Sequence, residues 1–243
     1  MSRSLALLRF ALGELLAGRR LPIVAALAAL PLWLPSLLAP GSGQDPTIFS
    51  FDLFRNLVVP VLLPLVSLTF STAALGTELR RGTITNLLLK PIPRWAVLAT
   101  EYLAAVLATL LVLLPAVLVA HVLAARGAGS TVLLEAAMVA TVVGALAYCA
   151  LGLLLSLLVS RALLVGLVYA LLWEGAVVGV APSASSLSVR GYVQGVLAAI
   201  LDGGGGPELN ARLGPVSATL LALIVTLLAL TLARRRLARM DLP

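Results

Sequence analysis

Six long, predominantly apolar stretches, roughly residues 21–39, 57–76, 96–123, 131–159, 162–181 and 215–233, leave this chain few ways to fold. A helix that crosses a bilayer needs about 20 mostly apolar residues, and in hydrocarbon every backbone hydrogen bond must close within the protein. Of the 243 residues 61% are hydrophobic and only 11% charged, too little polar surface to solvate a water-soluble core. A membrane β-barrel would instead alternate apolar and polar residues over short segments. The expected fold is therefore all-α, a polytopic membrane protein with six transmembrane helices forming one domain over residues 1–243.

Charge sets the expected orientation. With the amino terminus inside, 13 of the 17 basic residues fall on the inner side, and only Arg55, Arg126, Arg190 and Arg212 fall outside. The positive-inside rule then puts both termini in the cytoplasm. The formal net charge of +7 reflects topology and anionic lipid, so it gives no case for nucleic acid as a partner. The first apolar run begins near Leu21 and has spanning length without a clean small-residue cleavage site, so it reads as a retained span rather than a signal peptide. Cys149 is the one cysteine, which rules out an intramolecular disulfide and a cysteine-based metal site in one chain.

Ahead of the first span, Leu5, Leu8, Leu12, Leu15 and Leu16 share one helical stripe, which predicts an interfacial helix over residues 1–20. Pro22, Pro31 and Pro35 predict an irregular first span, and residues 40–56 read as a short outer loop. Between the last two spans, Tyr192–Leu201 is an apolar run too short to cross a bilayer, bracketed by the Pro182 and Gly203–Pro207 breaks. Residues 182–214 are thus expected to form an outer re-entrant or surface-lying helical segment. Small residues four apart recur as Thr72 and Gly76, Gly152 and Ser156, and Gly175 and Gly179, a spacing that lets helices approach closely.

Much chemistry is absent. No G-x-x-x-x-G-K-[ST] phosphate loop occurs, so the chain is not expected to hydrolyse ATP or to be an enzyme by itself. His121 is the one histidine, which excludes an H-E-x-x-H helix, and no serine–histidine motif or lipid-transferase D-x-x-D-G-x-x-A-R pattern is present. The ionisable residues in or beside spans are Glu101, His121, Glu135, Arg161 and Glu174. Intramembrane charge is costly and therefore draws attention to function. Glu101, Glu135 and Arg161 stand near span ends, where snorkelling accounts for them, and His121 reads as a hydrogen-bonded interfacial residue. Glu174 lies inside the fifth span and is the candidate for a translocation path.

Residues 77–95 form a basic, partly apolar segment between the second and third spans. Thr83 can cap a short helix from Ile84 to Leu89, with Gly82 as the turn before it and Pro91 stopping it after Lys90. Ile84, Leu87 and Leu88 then share one face, flanked by Arg80, Arg81, Lys90 and Arg94. A loop made basic by topology has no need of that apolar ridge, which suits a protein surface in the aqueous phase.

The string Glu78, Arg81-Gly82-Thr83, Leu87-Leu88, Pro91 and Arg94, read as E-x-x-R-G-T-x-x-x-L-L-x-x-P-x-x-R, resembles the membrane permeases of the second class of ATP-binding-cassette exporters. One departure is Glu101, where family members often carry a lysine early in the third span. The resemblance implies that residues 77–95 hold a cytoplasmic coupling helix that docks on a nucleotide-binding subunit. It implies as partners two copies of that ATPase and a second permease chain, with ATP and Mg bound by the ATPase and no cofactor in this chain. The implied setting is the bacterial cytoplasmic membrane, and the implied activity is ATP-driven export. A non-transporting membrane anchor that recruits an ATPase for signalling, envelope remodelling or motility uses the same docking loop and stands as the alternative.

Overall fold

The computed structural model describes residues 3–17, 21–29, 45–81, 94–125, 130–177, 186–204 and 213–239. Among the described residues the regular structure is helical throughout. Helices α1 (Arg3–Ala17) and α2 (Leu21–Ala28) come first, and α3 (Pro46–Leu53) passes through a π-helical segment, Phe54–Leu62, into α4 (Leu63–Arg81). Next come α5 (Arg94–Ala125), α6 (Thr131–Leu158) and α7 (Ala162–Val168), which continues as a second π segment, Tyr169–Val177. Helices α8 (Val189–Gly204) and α9 (Pro215–Ala238) complete the bundle.

Among the described residues, four helical stretches are long and apolar enough to cross a membrane: Pro46–Leu75, Trp95–Ala124, Thr131–Leu158 and Pro215–Ala238. They coincide with the second, third, fourth and sixth expected spans, and they mark a multi-pass helical membrane protein. Of the expected first span, α2 covers the beginning and residues 30–39 lie outside the described residues. The fifth appears as a shorter apolar helix, Ala162–Gly175.

The expected outer loop over residues 40–56 needs correction, because from Pro46 onward the chain is helical. The reason is local. Asp45 is extended and its carboxylate accepts from the Thr47 N–H at 2.8 Å, while Pro46 takes the first helical position, where no N–H is needed. Phe51 and Phe54 then bury their rings in the core, so tertiary contact extends the helix well before the apolar run that the sequence displays. Pro60 falls inside the first π segment. Its ring and missing N–H are incompatible with a tight α-turn, and the wider π turn accommodates both.

Helix α6 is the centre of the bundle, packed against α4, α5, α7, α8 and α9. Facing pairs define directions. Leu63 meets Gly144 and Ser71 meets Gly152, so α4 and α6 run parallel. Leu155 packs near Gly166, and Tyr148 bonds Glu174, so α6 and the α7–π element run antiparallel. Ser50 of α3 bonds His121 near the end of α5, which makes the Pro46–Arg81 helix antiparallel to α5.

Small residues set the closest approaches. A Cβ on Gly144 would collide with the Leu63 side chain and with Val193 of α8, and a Cβ on Gly152 would collide with Ser71. The expected close packing at Gly152 is thus present, whereas Gly175 has open space around it and Gly76 and Gly179 fall outside what is described at side-chain level. Nothing in the spacing of small residues distinguishes Gly144; only its neighbours in space reveal its role.

The amino-terminal stripe finds a protein surface. Ala11 and Leu15 are buried, Leu8, Leu12 and Leu16 pack against the core, and Arg9, Phe10 and Glu14 are exposed. Helix α1 lies against α5.

Candidate functional site

Two regions hold the residues singled out by sequence. The first is the motif segment. Glu78 and Arg81 lie on the final turns of α4, and Arg94 is the first residue of α5. Gly82, Thr83, Ile84, Leu87, Leu88 and Pro91 lie outside the described residues, as does the short helix expected there. Because α4 and α5 pack side by side and antiparallel, Arg81 and Arg94 stand at the same end of the bundle.

The second region surrounds Glu174. This carboxylate is 3% exposed and sits on the second π segment, facing α6 and the start of α8. The Tyr148 hydroxyl donates to its Oε2. Its Oε1 accepts from the Val189 N–H at 2.7 Å and from the Arg190 N–H at 3.4 Å. Ser188 completes the cap, its Oγ accepting from the Gly191 N–H at 3.2 Å. Two more tyrosines close the turn that leads into α8: Tyr192 donates to the Ser186 carbonyl at 2.6 Å and Tyr169 to the Leu187 carbonyl at 3.1 Å.

Depth explains why an acid is needed. Val193 packs on Gly144, the midpoint of the 28-residue α6, so α8 begins deep in the bundle rather than at its end. A helix start leaves its first N–H groups without intrahelical partners and carries a partial positive charge. Away from water those donors need an acceptor from the protein, and a carboxylate is the strongest available. Glu174 supplies it from a different helix. This capping role is invisible in the sequence, because Glu174 and Val189 are separated by a stretch whose course no pattern specifies; only the rarity of an acid within an apolar run gives a signal.

Other polar groups are settled locally. Thr69, Ser71, Thr72, Thr109 and Thr141 donate to backbone carbonyls four residues earlier, the usual way for a hydroxyl to be tolerated in a membrane helix. Cys149 is fully buried, within 3.5 Å of Thr109 Oγ1 and 3.8 Å of the Ser67 carbonyl. Among the described residues, Ser67 Oγ is the buried side-chain atom without a hydrogen-bond partner. His121 shares a 2.8 Å hydrogen bond with Ser50 through Nδ1, and both line a small pocket together with Phe54, Val58, Val117 and Leu133. Glu135 and Arg161 are exposed, in keeping with positions near helix ends, whereas Glu101 is buried. Among the described residues no group of three His, Cys, Asp or Glu side chains is arranged to hold a metal.

Compared with models of known protein families and with curated proteins, the chain matches none.

Proposed function

We propose that this chain is the permease subunit of an ATP-binding-cassette exporter of the second class. It would have six spans and both termini in the cytoplasm of a bacterial cell. It pairs with a second permease chain and with two copies of a cytoplasmic ATPase, which binds ATP and Mg. Residues 77–95 carry the coupling helix. ATP binding closes the ATPase pair, and Ile84, Leu87 and Leu88, seated on it, transmit the movement through α4 and α5. The bundle then shifts between inward-facing and outward-facing populations, and the substrate crosses.

The observation that carries this reading is the motif from Glu78 to Arg94, held between two long apolar helices that pack together and bring both of its ends to one end of the bundle. Helix α8 supports it as well. It is a 16-residue helix between the fifth apolar helix and α9 that starts at the level of the middle of α6, as a re-entrant segment does. Glu174 enters as the residue that holds α8 there. As a buried acid on the second π segment, it is also the proposed residue of a translocation path.

The test is purification of the tagged chain in mild detergent from its own host, with identification of co-purifying proteins. Recovery of a protein with a phosphate loop, lost in Leu87→Asp/Leu88→Asp, supports the assembly. Recovery without ATP-dependent flux of any solute in vesicles favours the anchor reading. If no ATPase co-purifies and crosslinking from position 87 finds no partner, the proposal fails.

A further inference from the structure

Helix α9 ends in Arg234, Arg235 and Arg236, followed by Arg239 at its C-cap, and all four are exposed. Among the described residues none of them forms an ion pair with an acidic side chain. The buried side of α9 is Ala218, Ala222, Ala229, Ala233 and Leu237. The opposite side carries Leu220, Ile224, Leu228 and Leu232 in steps of four, exposed by 53%, 54%, 56% and 42%. Arg235 follows Leu232 by three residues and Arg239 follows Arg235 by four, so both continue that stripe. Arg234 follows Leu227 by seven and lies on the same broad face.

Length fixes the level of these arginines. The uncharged stretch Pro215–Ala233 is 19 residues, roughly 28 Å as a helix and close to the thickness of the hydrocarbon core. A leucine stripe exposed over that length suits acyl chains, and a span of that length brings the guanidinium groups to the level of the headgroups. Each guanidinium presents a planar fork of donors that matches a phosphate. At a helix C-terminus the macrodipole holds such cations in place without neutralising them.

We infer that Arg234, Arg235 and Arg239 form a binding site for the phosphate of an anionic phospholipid, whose acyl chains lie along Leu228, Leu232 and Leu227. The inference rests on α9 as a membrane helix and is independent of the exporter proposal. An ATPase surface would have no use for the continuity between the arginines and the leucine stripe, whereas a lipid fills both.

The experiment measures binding of phosphatidylglycerol, phosphatidylcholine and sodium phosphate to the delipidated, detergent-purified full chain. Phosphatidylglycerol is expected to bind in preference to the other two. A basic side chain near an anionic surface contributes roughly fivefold, so Arg234→Gln/Arg235→Gln/Arg239→Gln lowers phosphatidylglycerol affinity on the order of a hundredfold. The corresponding triple lysine variant keeps the charge, loses the fork and falls much less. Arg55→Gln, an exposed arginine on the first π segment and outside α9, leaves binding unchanged. Equal retention of phosphatidylglycerol by the glutamine triple variant overturns the site, and so does an equal loss in Arg55→Gln. Binding of sodium phosphate as tight as that of phosphatidylglycerol overturns a lipid as the ligand.

Discussion

The Tyr148 hydroxyl donates to the Glu174 carboxylate, and through that carboxylate the middle of α6 is joined to the buried start of α8. Three elements that are remote in sequence share one polar junction: α6, the second π segment and α8. The two π segments pack against each other beside it. Turns of this wider kind are frequent where a helix serves a functional site.

Removal of the carboxylate is the first test. Glu174→Ala strands the Val189 and Arg190 amides and the Tyr148 hydroxyl in a buried setting, at an expected cost of about 3 kcal/mol or more. The unfolding midpoint in detergent falls by roughly 6–12 °C, and amide exchange quickens at Val189 and Arg190. Glu174→Gln keeps an acceptor for the Val189 N–H and loses less. Unchanged exchange at these two amides in Glu174→Ala would mean that the cap does not form.

The partner side gives a double-mutant test. Tyr148→Phe removes one donor to Glu174 and is expected to cost about 1–3 kcal/mol. Combined with Glu174→Gln, the two losses sum to clearly more than the double variant loses, since both act on one bond. Strict additivity would show that the residues do not interact.

Close packing at α6 is tested by adding methyl groups. Gly144→Ala drives a Cβ into Leu63 and Val193 and is expected to cost about 1–3 kcal/mol. Gly13→Ala, on α1 with nothing within 4 Å of the added atom, is expected to stabilise by up to about 1 kcal/mol through helix propensity. Thermal unfolding of the pair decides the matter: a harmless Gly144→Ala contradicts the contact of α4 and α8 with α6.

Ser67→Ala runs against the usual direction for a buried polar residue. Its hydroxyl has no partner, so its removal is expected to be neutral or to stabilise by up to about 1 kcal/mol. A loss above about 1 kcal/mol would reveal a hydrogen bond made through an ordered water or ligand.

Chemical labelling checks the depth of the core. Cys149 is fully buried beside Thr109 and is expected to resist a membrane-impermeant maleimide in the folded protein. Ser160→Cys, in the exposed turn between α6 and α7, is expected to react rapidly and from one side of the membrane only. Rapid reaction of Cys149 would place α6 at an aqueous surface.

Composition and period were enough for the chain by itself to determine its class of fold. Continuous apolar runs forced membrane helices, because only closed backbone hydrogen bonding survives in hydrocarbon. The break residues around Tyr192–Leu201 marked a separate helix, and α8 is that helix. Local signals also existed at Asp45-Pro46, a cap followed by a first-turn proline, but a short amphipathic start is weaker than a long apolar run, and the helix began eleven residues earlier than hydropathy implied. The tertiary structure alone decided which of the scattered polar residues meet. Glu174, Tyr148 and Val189 carry no shared spacing, and Gly144 is one glycine among many until Leu63 and Val193 lie against it. Sequence period reports which side of a helix avoids water, whereas the pairing of groups across helices depends on rotation and depth, which are set by how the whole bundle packs.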